Sequence, residues 1–224
     1  MAQRLVYLHT VSSLVATFKD LSQELLPPQV EVVHLVDEIL LKWVLAQGGI
    51  SPAITRRLAE HALAAEQFGA DLMLCTCSSI APSVDLAQPL VRIPLMRVDQ
   101  PLVDRGLALG TRIGVAATAP TTLKPTTELL KARAAQAGKA VQVDAILCVE
   151  AYQAMFAGDL ATHDRLVRQV LLDLMARNEV VLLAQASMAR AAETIPPQER
   201  RAPLLASPRL AVEAVRDRLK ELAP

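Results

Sequence analysis

Arg4-Leu5-Val6-Tyr7-Leu8-His9-Thr10-Val11-Ser12-Ser13 lies against Arg112-Ile113-Gly114-Val115-Ala116-Ala117-Thr118-Ala119-Pro120-Thr121 at an offset of 108. Arginine falls on arginine and threonine on threonine, and each stretch reads as a buried strand running into a polar turn. The same offset lays Asp71-Leu72-Met73-Leu74-Cys75-Thr76-Cys77-Ser78-Ser79-Ile80-Ala81 on Glu179-Val180-Val181-Leu182-Leu183-Ala184-Gln185-Ala186-Ser187-Met188-Ala189, so that Cys77 meets Gln185 and Ser79 meets Ser187. A third pair, Ile93-Pro94-Leu95 against Ala202-Pro203-Leu204, stands one residue off that spacing. Three ordered matches at nearly one spacing mark two copies of one fold.

Within each copy short apolar runs alternate with longer segments of helical period, the pattern of βα units around a parallel sheet covered on both faces. The reading is α/β, with two similar flavodoxin- or Rossmann-like lobes related by duplication and an active site in the cleft between them. The lobes are expected at 1–98 plus 207–224, the last stretch being a returning helix, and at 99–206. Strands are expected at 4–10, 30–35, 71–76, 91–95, 112–117, 141–147, 180–184 and 202–205. Ser51-Pro52 and Ser207-Pro208 read as helix starts, Gly69 and Gly138 as helix ends.

Composition narrows the function. Lys+Arg and Asp+Glu are both 23, giving zero net charge, and no basic stretch is dense enough to follow a phosphate backbone, so nucleic acid is not an expected partner. The apolar run 5–15 is too short to span a bilayer and no membrane association is expected. Aromatic residues make up 3% of the chain, too few for base-stacking or sugar platforms. An odd count of three cysteines in a chain with a full-sized core points to reduced thiols and a cytoplasmic location. The neutral, apolar-rich composition leaves homo-oligomer formation open.

Ligands of open parallel sheets sit beyond the carboxyl ends of the strands. That places His9, Thr10, Ser12, Ser78, Ser79, Thr118, Thr121, Thr122, Gln185 and Ser187 at the mouths of the two sheets, as hydroxyl, amide and imidazole groups suited to a small carboxylate substrate. Ser12 and Thr121 serve equally as ordinary helix caps. Cys77 lies past a strand end and ahead of a short helix, where the helix dipole and free N–H groups lower a thiol's pKa. Cys75, two residues back in the strand, reads as a core residue. His34 with Asp37 reads as a strand-end histidine and a helix cap rather than a metal site, and no metal is expected.

On these residues the chain resembles the aspartate/glutamate/hydantoin racemase superfamily, over nearly its whole length. Cys77-Ser78-Ser79 looks like the family's first catalytic-cysteine turn. Gly114–Thr121 looks like its strand-plus-threonine segment, and Leu183–Met188 occupies the place of its second catalytic-cysteine turn. The resemblance implies two α/β lobes and paired thiols that act without metal or pyridoxal cofactor. It also exposes a departure, because Gln185 stands where the second thiol belongs and an amide does not exchange a full proton at neutral pH. Glu150, Cys148 and His163 are candidate second bases, Glu150 against a solvated helix-start role and His163 against a first-turn surface position after Thr162 as N-cap.

The expected activity is therefore that of a cofactor-independent isomerase, a racemase or epimerase of an amino acid or related carboxylate, with Cys77 moving the proton at the carbon α to the carboxylate. Alternatives are a single-thiol malonate-type decarboxylase, a cis–trans isomerase of diacids, and a non-catalytic carboxylate-binding protein.

Overall fold

Two runs of apolar residues, Leu72–Cys75 and Val180–Leu183, are buried at every position and form the hearts of two separate parallel sheets in the computed structural model, which describes residues 3–223. Strands buried on both faces lack polar alternation, and these two have none.

The first sheet is ordered β2-β1-β3-β4, from β1 (Arg4–His9), β2 (Glu31–Val36), β3 (Leu72–Cys75) and β4 (Leu95–Arg97). Its connections are α1 (Leu14–Leu25), then α2 (Glu38–Gln47) and α3 (Pro52–Phe68), then α4 (Ala81–Ala87). The second is ordered β6-β5-β7-β8, from β5 (Arg112–Ala117), β6 (Gln142–Leu147), β7 (Val180–Leu183) and β8 (Leu204–Ala206). It is preceded by α5 (Asp99–Leu109) and connected by α6 (Pro120–Gln136), by α7 (Val149–Phe156) with α8 (Leu160–Arg177), and by α9 (Ala189–Glu193). α10 (Ser207–Leu222) closes the chain. All pairings are parallel, and the strands on either side of β1 and β5 are reached by crossovers, as a doubly wound sheet requires.

The two lobes are alike. β1 and β5 are 108 residues apart, as are β3 and β7, while β2 and β6 are separated by 111 because the second copy carries a longer first crossover. One compact unit runs up to Pro101 and resumes at Pro208; the other is Leu102–Ser207. α10 belongs to the first, where Ala211, Val212, Val215 and Leu219, spaced three or four apart, pack with Leu5, Tyr7, Phe18 and Leu74. The opposite face of that sheet is covered by α2, α3 and α4 through Leu40, Val44, Ile54, Leu58 and Val84. In the second unit Val167, Leu171 and Leu174 of α8 cover Ala116, Val181 and Leu183. β5 keeps a glycine at Gly114, where a Cβ would lie 3.2–3.3 Å from Asn178, Val181 and Leu174, so its absence lets α8 approach.

Two strands differ from the sequence expectation. The fourth begins at Leu95 rather than at 91, because Gln88–Leu90 forms a 3-10 turn and the Gln88 side chain takes the hydrogen-bonding places of Ile93 O and Leu95 N. The eighth begins at Leu204, after Pro203, which has no N–H to give. Gly69 does end α3, with φ 83°, and Gly138, φ 63°, follows the end of α6. Ser51 precedes Pro52 as expected, yet its hydroxyl makes no capping bond.

Candidate active site

Because β1 and β3 are neighbours in the first sheet, the turns that follow them are side by side. Thr76 N–H donates to Leu8 O at 3.0 Å, and the next residue is Cys77. The helix begins only at Ala81, so Cys77 stands before a turn, Ser78–Ile80, rather than at the helix N-terminus itself. Its side chain is half-buried, in contrast to Cys75, which is fully buried in β3.

Sulfur chemistry here is a balance of opposed effects. Burial pushes the Cys77 thiol up, while the Thr10 hydroxyl, the amides of Ile80 and Ser79 and the Ser79 hydroxyl pull it down; burial prevails and the thiol lies above its ordinary value. This corrects the expectation of a depressed pKa, since burial outweighs the donors that the turns supply. Thr10 is buried and its hydroxyl meets no hydrogen-bond partner of good geometry among the described residues, although it lies near enough to the sulfur to favour the thiolate. Ser78 and Ser79 are buried beside it, and Ser12 is exposed.

His9 is not free to meet a ligand. It is fully buried, with Nδ1 at 2.9 Å from Thr76 Oγ1 and Nε2 at 2.9 Å from His34 Nδ1. The Thr76 hydroxyl gives its one proton to Leu8 O at 3.2 Å, so His9 Nδ1–H is the donor to Thr76 and His9 Nε2 accepts from His34. Burial, then the charge of His34, lowers the His9 pKa from 6.5 to about 4. The ring is therefore a neutral clamp between β1 and β3, just below the Thr10–Cys77 turns.

At the end of β2 an ion-paired cluster stands where a lone helix cap was expected. Asp37 caps α2 by accepting Ile39 N–H at 3.1 Å, as foreseen, but it also receives the Arg57 guanidinium on both oxygens and His61 Nε2 at 2.7 Å. Burial alone would raise the Asp37 carboxyl; the bonds from Arg57 and His61 outweigh it and hold the pKa low. The signal available in sequence was the four-residue spacing of Arg57 and His61, one face of α3.

In the second sheet the corresponding turns follow β5 and β7. Gln185, half-buried, turns its Oε1 into the β5–α6 turn and accepts from Thr118 N at 2.6 Å, Thr118 Oγ1 at 3.0 Å and Ala119 N at 3.1 Å. Thr10 and Thr118 are equivalent in the duplication, as are Cys77 and Gln185, so one threonine hydroxyl faces a thiol and the other an amide oxygen. Thr122 is buried, Thr121 half-buried, and Ser187 exposed on a 3-10 turn.

The three second-base candidates separate. Cys148 is buried in the apolar cluster with Ala151, Val167 and Met188. His163 is buried, not a surface residue, with Nδ1 at 2.8 Å from Asp164; the cap of its helix is Asp159, which accepts Thr162 N–H, rather than Thr162. Glu150 is exposed in the first turn of α7, directly after β6.

Parallel sheets of one design, each followed by polar turns after its two central strands, define a duplicated α/β protein. The chain belongs to the Asp/Glu/Hydantoin racemase family, whose model matches residues 10–215. Solved structures share the fold. Glutamate racemase from Francisella tularensis, in complex with D-glutamate, superposes with a TM-score of 0.75 at 14% identity, over 100% of this chain and 84% of that one. Allantoin racemase from Klebsiella pneumoniae gives 0.71 at 17% identity, over 98% and 88%. An aspartate racemase homologue from Pyrococcus horikoshii gives 0.71 at 13%, over 98% and 100%. No curated protein sequence matches the chain. Among the described residues no helix is long and apolar enough to cross a membrane.

Proposed function

We propose that the protein is a cofactor-independent racemase or epimerase of an amino acid or related small carboxylate, in which Cys77 exchanges the proton on the carbon α to the carboxylate. The observation that carries this is one half-buried sulfur just past β3, beside which the Thr10 hydroxyl and the Ser79 and Ile80 amides favour the thiolate against burial. Burial keeps the resting group as a neutral thiol, ready to give a proton. When the proton leaves, the same fixed donors stabilise the thiolate without reorganisation. Family membership and racemase-like architecture favour the same chemistry. As second base Glu150 is the remaining candidate, exposed after β6, since Cys148 and His163 are buried and Gln185 carries no exchangeable acid.

The test is exchange of the α-proton in heavy water, followed by NMR with glutamate and aspartate among a panel of small amino acids as first substrates. Exchange is expected with at least one of them, and Cys77→Ala should lower it by about 10²–10⁴-fold, the usual worth of a positioned acid/base. Absence of exchange with all of them, or exchange undiminished in Cys77→Ala, would remove the reading.

A second reading is favoured by Gln185. With its oxygen fixed by three donors, that turn holds a neutral amide, which suits a reaction protonating one face only, such as malonate-type decarboxylation or diacid isomerisation. A single-handed product from a prochiral malonate, without exchange of amino-acid α-protons, would support it over racemisation. A carboxylate-binding protein without turnover would show neither.

A further inference from the structure

α1 covers only part of the face it packs on. Phe18 and Ser22 sit over β1, where Ser22 Oγ meets the Tyr7 hydroxyl at 2.8 Å, and the outer half of the face, on the edge strand β2, is left as a groove of about 630 Å³. That is within the range of small-molecule sites, about 300–1,000 Å³. The groove has two unlike ends. One is apolar, lined by Val30, Val32, Leu26 and Pro27; the other carries Lys19 of α1 and His34 of β2. Residues 30, 32 and 34 alternate onto this face, so from Val30 to His34 the groove follows the strand for about 13 Å.

The polar end is electrostatically incomplete. Lys19 is exposed and has no ion-pair partner among the described residues, and its charge, after burial, holds the His34 pKa below 6.5. The other groups facing His34 are Tyr7 and His9 of β1, whose ring centroids lie 5.3 and 5.2 Å from its own; neither carries negative charge at neutral pH. His34 uses Nδ1 on His9, which leaves Nε2 without a hydrogen bond among the described residues. An anion placed between Lys19 and His34 reverses the sign of the local field and lets Nε2 take a proton and donate it to that anion.

We propose that this groove binds a carboxylate with an apolar tail, its head between Lys19 and His34 and its tail along Val32, Val30, Leu26 and Pro27. The hydrogen-bonded series His34–His9–Thr76 then joins the occupied groove to the residue before Cys77. The proposal is independent of the reaction at Cys77.

Octanoate is the probe, titrated calorimetrically into the full chain in two buffers of different ionisation enthalpy near neutral pH. Saturable binding with proton uptake is expected, weakened at least tenfold by Lys19→Gln and abolished by Val32→Trp, which fills the groove. Acetate lacks the tail and octylammonium has a positive head in place of the negative one, and both should fail. Non-saturable heats, binding unchanged by Lys19→Gln, or equal binding of octylammonium would overturn the proposal. So would a dimer in the ultracentrifuge that Val32→Trp dissociates and octanoate does not, because the groove would then be a contact between two copies of the chain.

Discussion

Cys77 stands just beyond a fully apolar strand, and burial, not the helix that follows, sets the direction of its titration. A helix dipole can be read from a sequence; the loss of water depends on which turns close over the sulfur, and those come from β1 as well as from β3. The consequence is measurable. Alkylation of Cys77 should be slow at neutral pH and should rise with pH to a midpoint above the ordinary thiol value, while buried Cys75 and Cys148 stay unlabelled in the native protein. Thr10→Val removes one donor from the sulfur at a net cost of about 0.5–1.5 kcal/mol to the thiolate, so the midpoint should climb by up to about one pH unit. A midpoint below the ordinary value would show that burial does not prevail at this sulfur, and one indifferent to Thr10→Val that the Thr10 hydroxyl does not act on it.

Among the elements, β1, β2 and β3 are joined in their carboxyl halves by imidazoles that the sequence offered only as isolated histidines. His9 reads as a ligand-facing group from its place at a strand end. The structure instead makes it a neutral clamp, because strand pairing brings Thr76 to one side and His34 to the other. This clamp sets a pH dependence. The folded chain holds His9 near 4, whereas the unfolded chain titrates near 6.5, so between those values the unfolded state binds more protons. Stability is full above about 6.5 and falls as the pH drops towards 4, by about 3 kcal/mol in total from this residue. His34 is shifted in the same direction and adds to the loss. Urea unfolding at pH 7.5 and pH 4.5 should show the decline, and His9→Asn should flatten much of it; an equal decline in that variant would assign the effect elsewhere. The Asp37–Arg57–His61 group illustrates what stayed hidden at this scale. Its partners lie 20 and 24 residues from Asp37 on another helix, and nothing local in the sequence ties them to the end of β2.

Across the whole molecule, duplication was the most legible property, since the offset of 108 recurs in β1/β5 and β3/β7, the strands whose apolar runs are strongest. The edge strands were harder to align, because β2 and β6 are half-exposed, mixed in pattern and displaced by three further residues. The same duplication supplies the sharpest test of the proposed chemistry. Thr118 N, Thr118 Oγ1 and Ala119 N form a ready-made set of donors around the Gln185 oxygen, and Thr118 is the counterpart of the threonine that faces Cys77. Under the proposed mechanism, Glu150→Gln should abolish racemisation and leave only a slow exchange that grows with pH as the Cys77 thiolate forms, seen as retained configuration with deuterium incorporated. Gln185→Cys shortens a half-buried turn side chain and frees those donors, at a cost of about 1–3 kcal/mol for any N–H left unpaired, which a domain of ordinary stability survives. The new thiol should titrate and alkylate as Cys77 does. Combined with Glu150→Gln it should restore racemisation, because an acid/base again stands at the position equivalent to the first. If the double variant folds, carries a reactive thiol at 185 and still yields one enantiomer, the equivalence of the two turns ends at the backbone and does not extend to the reacting carbon.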